Sequence, residues 1–116
     1  MGETMSDYDP DYYENDVHIA EKLISIKENA EDRGIHFDLS FAHLKRIIRR
    51  KTCYYTGRRF SKNVQDWKTI ERVDNDKGYT DENTVCVCQE ANQLKGSMSL
   101  DELKHMVKQI EKHQNK

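Results

Sequence analysis

Residues 69–96 read TIERVDNDKGYTDENTVCVCQEANQLKG, and the rest of the chain is best interpreted from this stretch. Its first five residues are rich in β-branched side chains, and a cluster of turn formers follows at 74–78. Residues 84–88 alternate and branch like a second strand. Residues 89–95 are helix formers that end at Gly96, a residue typical of the position after a helix. The stretch therefore predicts a strand, a loop, a second strand and a helix, in that order.

This stretch resembles the HNH, or ββα-metal, nuclease family. Phage members carry a pattern similar to DRIDxxKGYxxxNVxxVxxxxNxxKG, written here as ERVDNDKGYTDENTVCVCQEANQLKG. The pair Gly78-Tyr79 and the asparagines Asn83 and Asn92, nine positions apart, recur in the same order, which makes the match specific. Residues 53–57, CYYTG, are similar to the cysteine knuckle of the family. The resemblance implies an HNH-like ββα core and Mg²⁺-dependent cleavage of DNA, and it leaves about a third of the chain uncovered.

Carried over by position, the resemblance gives a catalytic set of Glu71, Arg72, Asn83 and Asn92. Glu71 falls at the strand carboxylate that binds the metal, Asn83 at the asparagine that braces the loop, and Asn92 at the helix residue that completes the metal site. Carboxylate and amide oxygens suit a hard cation such as Mg²⁺. The alternative is a solvent-facing strand carboxylate and a surface helix asparagine.

Arg72 falls where the family places its general-base histidine. A guanidinium stays protonated in proteins and has no acceptor atom, so it cannot take a proton from water. Arg72 either binds the scissile phosphate and stabilises charge there, or pairs with Glu71, Asp74 or the DNA backbone. We therefore expect any cleavage activity to be weak, unless a histidine such as His36, His43 or His105 reaches the site.

The cysteines do not reproduce a structural zinc site. Many relatives carry two Cys-x-x-Cys pairs, whereas this chain keeps Cys53 and Cys88 and has Thr56 and Ala91 at the partner positions. Two thiolates cannot complete a tetrahedral zinc site. We expect Cys53 and Cys88 to be small core residues and expect no structural zinc.

The charge of the chain is unevenly distributed. Residues 1–16 contain six carboxylates and no lysine or arginine, and the remaining residues contain fifteen acids and nineteen bases. Between residues 39 and 65 there is no acid at all, and eight bases occur, interleaved with aromatic residues: Lys45, Arg46, Arg49, Arg50, Lys51, Arg58, Arg59 and Lys62. Such a segment is typical of phosphate contact, although many charge runs are only solvated helix faces. Lys95 is a further candidate, either for phosphate contact or as an ordinary surface lysine.

The chain is predicted to form one α+β domain at residues 15–116, preceded by a disordered acidic arm at residues 1–14. Apolar spacing predicts helices at 16–33 and 41–50, the second capped by Ser40. A third helix is predicted at about 100–113 from the capping box of Ser99 and Glu102. Its apolar residues are expected to face the core: Leu100, Leu103, Met106, Val107 and Ile110.

Two functions are left open by the sequence. The chain is a phage-type, HNH-like DNA-binding protein with weak Mg²⁺-dependent nicking, or it is an inactive nuclease-derived module that binds DNA or a host protein, as a regulator or inhibitor of host defence does. The acidic arm is a candidate surface for a protein partner. No run of about 18 apolar residues and no secretory signal is seen, so we expect no membrane association and a location in the cytoplasm, that of the bacterial host if the chain is phage-encoded.

Overall fold

The structure is a computed structural model that describes residues 14–115. Four α-helices and two small sheets form an α+β fold, which confirms the class expected from the sequence. In chain order the elements are α1 (Asp16–Asp32), β1 (Phe37–Asp38), α2 (Phe41–Ile48), a 3-10 turn (Val64–Asp66), β2 (Lys68–Arg72), β3 (Tyr79–Thr80), β4 (Thr84–Cys88), α3 (Gln89–Lys95) and α4 (Leu100–Gln114). The predicted acidic arm at residues 1–14 lies outside the described residues except for Glu14.

Strands β2 and β4 form an antiparallel pair, and helix α3 begins directly after β4. The register runs from Lys68 opposite Cys88 to Arg72 opposite Thr84. Helix α3 ends at Gly96, whose φ of 56° lies in the left-handed region that glycine tolerates best. The predicted order of strand, loop, strand and helix is therefore confirmed.

A second, parallel sheet pairs β1 with β3 and was not predicted. Tyr79 donates its backbone N–H to the carbonyl of His36 over 2.9 Å. This approach is so close that a Cβ on Gly78 would lie 2.3 Å from the same carbonyl oxygen. The Gly78-Tyr79 pair therefore has a structural reason, since glycine is required where the loop crosses the His36 backbone.

The two faces of the β2–β4 pair contact two different cores, because successive strand side chains point to opposite sides. On one face Cys86 packs with the apolar sides of α1 and α2, through Ile19, Ile26, Leu39, Leu44, Ile47 and Ile48. On the other face Val85 and Val87 pack with Cys53, Cys88 and the α3 residue Ala91. Helix α3 and the cysteine knuckle thus share one side of the hairpin.

Helix α4 does not face the core, and that prediction is wrong. The Ser99–Glu102 capping box forms as expected, but none of the fifteen residues of α4 is buried. Met106, Val107 and Ile110 are 47%, 45% and 52% exposed. An apolar stripe shows which side of a helix can be buried, but burial also requires a neighbouring element. In residues 14–115 only the start of α4 is half-buried, at Leu100 and Leu103, and Leu100 donates its backbone N–H to the carbonyl of Val73.

Every helix in the described part of the chain is too short or too polar to span a bilayer.

Candidate functional site

The carboxylate of Glu71 lies next to the ammonium of Lys95. Glu71 Oε2 is 3.0 Å from Lys95 Nζ, and the two side chains are only 10% and 0% exposed. This is an ionic contact rather than an aligned hydrogen bond, because Oε2 has no hydrogen-bond partner in the described structure. Burial and then the negative charge of Glu71 raise the pKa of Tyr55, whose ring packs in the same core. The strand carboxylate is therefore enclosed in protein and compensated by a buried cation.

Lys95 also holds the loop after β2. Its ammonium donates to the backbone carbonyl of Arg72 over 3.2 Å and to Asn75 Oδ1 over 3.0 Å. The whole residue is only 1% exposed. Lys95 was a candidate either for phosphate contact or as a surface lysine, whereas in the structure two hydrogen bonds and the charge of Glu71 hold its ammonium inside the fold.

Arg72 points away from Glu71 and is bound into the loop. Its Nη1 donates to the backbone carbonyls of Asn75 over 3.0 Å and of Lys77 over 2.8 Å. The guanidinium also lies 5.2 Å from the centroid of the Tyr79 ring, within the range of a cation–π contact. In the described structure the partners of the guanidinium are thus two loop carbonyls, rather than the carboxylates of Glu71 or Asp74 that the sequence analysis considered.

Asn83 braces the same loop. Its Oδ1 accepts from the backbone N–H of Asp74 over 2.9 Å, and its Nδ2 donates to the carbonyls of Asp74 and Gly78 over 3.0 and 2.9 Å. The side chain is buried, with 7% of the residue exposed. The bracing contact that the resemblance implied for Asn83 is present, and it fixes the loop shape on which Arg72 and Lys95 also depend.

Asn92 lies on α3 and is partly exposed. Its backbone carbonyl accepts from Gly96 in the helix C-cap, while the α3 residue in contact with Glu71 is Lys95. Within residues 14–115 no three His, Cys, Asp or Glu side chains are grouped to hold a metal ion. A cation at Glu71 Oε2 would compete with the Lys95 ammonium, which lies 3.0 Å away.

No histidine is placed beside Glu71 within the described fold. His43 Nε2 lies 2.9 Å from the carbonyl of Thr84, and its Nδ1 lies 3.0 Å from Arg46 Nη1. Because a carbonyl only accepts, Nε2 donates to Thr84, and the Arg46 guanidinium faces Nδ1. His43 thus lies on the side of the hairpin that faces α2, while Glu71 faces α3. His36 and His105 are exposed.

Cys53 and Cys88 are free, buried and in the same core, as expected. Burial alone would raise the pKa of the Cys53 thiol. Hydrogen bonds from the Thr56 side chain and from the backbones of Cys88, Thr56 and Tyr55 outweigh it and lower that pKa. By contrast, burial raises the pKa of Cys86 to about 12. The knuckle at 53–57 therefore directs its backbone donors at one sulfur.

The basic surface consists of Lys45, Arg46, Arg49, Arg50, Lys51, Arg58, Arg59 and Lys62, on α2 and the segment that follows it. Four of these bases contact carboxylates: Lys45 and Arg49 lie 3.1 and 3.8 Å from Asp16, Lys51 lies 3.9 Å from Glu14, and Arg58 contacts Asp66 and Glu90. The hydrogen bond and charge of Glu90 raise the pKa of Arg58. Arg46, Arg50, Arg59 and Lys62 are exposed, and none of them pairs with a carboxylate in residues 14–115. Within residues 14–115, about half of the basic surface is thus exposed without a carboxylate partner.

Sequence reasoning missed the role of Lys95 as the internal partner of Glu71. A lysine near the end of a helix normally reaches solvent, so no local pattern predicts its burial. The sequence contained only an indirect indication. A carboxylate that is buried between a strand and a helix needs a positive group nearby, and Lys95 is the lysine of that helix.

Comparison with known proteins gives one curated relative, and neither a family model nor a solved structure matches the chain. The chain is 31% identical over 86 residues to a protein of Enterobacteria phage T4 described as an uncharacterized 29.0 kDa protein in the dda-modA intergenic region. The match covers 73% of this chain and 35% of the phage protein, so the chain spans about a third of the length of the curated relative it matches.

Proposed function

We propose that the chain is a phage-type nucleic-acid-binding module on an HNH-like ββα scaffold, which binds DNA through the basic surface and cleaves it slowly or not at all. The observation that carries this proposal is the exposed half of the basic surface that contacts no carboxylate within residues 14–115, namely Arg46, Arg50, Arg59 and Lys62. The similarity to a phage T4 protein supports the phage origin.

The basic surface has the chemistry of a phosphate-binding face. Guanidinium groups match the oxygens of a phosphate with paired N–H donors. The apolar residues of α2, Leu44, Ile47 and Ile48, are buried, so Arg46 of this helix lies on its exposed side, and Arg49 and Arg50 follow directly after it. Neutralising phosphates with such groups releases counterions, which makes binding strongly dependent on salt.

The proposed lack of efficient catalysis follows from the sites of Glu71 and Arg72. The carboxylate is compensated by Lys95, and the guanidinium is bonded to two loop carbonyls. Neither group is placed to accept a proton from water. The loop after β2, which Arg72, Asn83 and Lys95 hold by hydrogen bonds, is instead suited to positioning bound DNA.

The first prediction concerns the basic surface. Changing Arg46, Arg49 and Arg50 together to Glu should abolish DNA binding, measured by fluorescence anisotropy with a labelled duplex at several salt concentrations. In the wild type, the logarithm of the affinity should fall linearly with the logarithm of the salt concentration.

The matched control changes Lys104, Lys108 and Lys112 to Glu on the exposed helix α4. That variant carries the same change of net charge and should lose much less affinity. Equal loss in both triple variants would show that only net charge matters, and unchanged affinity in the arginine variant would remove the proposed surface. Circular dichroism checks that both variants fold.

A second candidate function, slow Mg²⁺-dependent nicking, is favoured by one observation. The buried Oε2 of Glu71 makes no hydrogen bond in the described structure, so it could accept a cation if Lys95 moved. We predict that the wild type nicks supercoiled plasmid weakly or not at all with Mg²⁺ or Mn²⁺. Efficient metal-dependent nicking that disappears in Glu71→Ala would identify the chain as an active nuclease and overturn the assignment as a binding module, whereas weak nicking that disappears in Glu71→Ala would support the second candidate function.

A further inference from the structure

An open cleft lies between helix α2 and the start of β4, beside the basic surface. Its volume is about 180 Å³, and its walls include His43, Arg50, Tyr54, Asp81 and Glu82. Sites for drug-sized ligands have volumes of roughly 300 to 1,000 Å³. This cleft therefore has room for one small ring system and not for a whole nucleotide cofactor.

The wall of the cleft contains an unsatisfied buried hydroxyl. Thr84 is 0% exposed, and its Oγ1 has no hydrogen-bond partner in the described structure. Because Thr84 is 0% exposed, its hydroxyl lies behind the surface of the cleft and is not a contact for a ligand there.

Tyr54 offers a flat surface at the entrance. The residue is 53% exposed, yet both its backbone and its ring make contacts within the fold. Its backbone N–H donates to the Cys86 carbonyl over 3.0 Å, and its ring meets the ring of Tyr55 edge-on at 5.7 Å between centroids. An exposed aromatic ring that is already ordered loses little entropy when a planar group stacks on it.

Charged groups of both signs surround the same opening. Asp81 accepts from the backbone N–H and the hydroxyl of Ser40, each over 2.9 Å, and these bonds hold its carboxylate in place. The backbone bond from Ser40 lowers the pKa of Asp81. Glu82 is exposed beside it, and Arg50 lies on the α2 side. Two carboxylates disfavour a free anion inside the cleft, whereas they suit a group that presents N–H donors.

We propose that this cleft holds one unstacked base of a single-stranded nucleic acid whose phosphates lie on the basic surface. The base stacks on Tyr54, its amino group donates to the carboxylate of Glu82, and Arg50 contacts the adjoining phosphate. This proposal rests on the proposed function and specifies its substrate class as single-stranded rather than fully paired nucleic acid. Stacking on aromatic rings is the usual means by which proteins bind single strands.

The experiment compares labelled single-stranded oligo(dC) with a duplex of the same length by fluorescence anisotropy at one salt concentration. The wild type should bind the single strand more tightly. Tyr54→Ala should weaken single-strand binding by roughly tenfold, the usual scale for one stacked base, and should change duplex binding less than about twofold. Tyr54→Phe keeps the ring and should retain the single-strand affinity.

Oligo(dT) tests the carboxylate wall, because thymine has no exocyclic amino group. The wild type should bind oligo(dC) more tightly than oligo(dT), and Glu82→Gln should reduce that difference. Equal affinities of the wild type for the two oligonucleotides would remove the assigned role of Glu82.

The outcomes separate the two proposals. Duplex and single strand bound equally, with Tyr54→Ala unchanged, would overturn the base site and leave the basic surface intact. A Tyr54→Ala variant that loses duplex and single-strand binding to the same extent would also overturn it. No binding of any nucleic acid by the wild type would overturn both.

Discussion

At the scale of single residues, Lys95 joins the strand, the loop and the helix of the unit formed by β2, β4 and α3. Its buried ammonium compensates Glu71 and joins the end of α3 to the carbonyl of Arg72 and the side chain of Asn75. Breaking a buried ion pair by removing one partner costs about 3 to 5 kcal/mol, because the other charge is left buried and uncompensated. Lys95 therefore controls the stability of the candidate site.

We predict that Lys95→Met lowers the free energy of unfolding by about 3 to 5 kcal/mol, measured by urea denaturation. The double variant Lys95→Met with Glu71→Gln should be more stable than Lys95→Met alone, since it removes the stranded carboxylate. A single variant as stable as the wild type would show that the pair is not buried in solution. The same samples can be titrated with Mg²⁺: stabilisation of Lys95→Met, but not of the wild type, would show that the lysine blocks a metal position.

Some residue roles could be predicted from sequence, and the reason differs from one residue to the next. Asn83 was assigned to loop bracing from the family pattern, and its three hydrogen bonds are seen. The sequence showed that residue 72 is a permanently charged arginine. It did not show which groups accept hydrogen bonds from Arg72, because the carbonyls of Asn75 and Lys77 are brought there by the loop conformation. Both interpretations of Lys95 from the sequence put its side chain on the surface, because the burial of one residue cannot be predicted from a single helix turn.

At the scale of elements, those encoded by local signals were predicted well. The helices α2 and α4 begin after Ser40 and Ser99, whose side chains accept from residues three positions later. The parallel pair of β1 and β3 was missed because each strand has only two residues, and about 40 residues separate them. Pairing of this kind depends on the folded chain rather than on a repeating pattern.

The exposed apolar stripe of α4 allows a test of whether an apolar residue stabilises the fold by its place in a helical pattern or by its burial. Ile110→Gln should change the free energy of unfolding by no more than about 0.5 kcal/mol, because Ile110 is 52% exposed. Ile47→Ala should cost about 2 to 5 kcal/mol, because Ile47 is 5% exposed in the core between α1, α2 and β4. Chemical denaturation of both variants measures the contrast.

A large loss of stability in Ile110→Gln would contradict the exposed position of α4. If that loss also depended on protein concentration, the stripe would be covered by a second copy of the chain.

At the scale of the whole molecule, the acidic beginning of the chain contacts the basic surface. Glu14 lies against Lys68 and Lys51, and Asp16 contacts Lys45 and Arg49. The side chain of Glu14 is only 11% exposed, so it is part of the fold although the predicted arm included it. Residues 1–13 add four more carboxylates and no base. Acidic groups at one edge of a phosphate-binding face oppose the approach of a polyanion.

The last prediction is that removing residues 1–13 tightens DNA binding while the fold is kept. The deletion stops at 13 because removing Glu14 would also remove a buried contact of Lys68. It changes the formal net charge from −2 to +2, and the affinity gain should shrink as salt is raised, since screening weakens the repulsion. The matched control keeps the full length and changes Glu3 to Gln and Asp7, Asp9 and Asp11 to Asn. If DNA affinity rises equally in both variants, the effect is due to charge. If it rises in the deletion alone, the effect is due to the bulk of the segment. Unchanged affinity in both variants would show that these carboxylates do not compete with DNA.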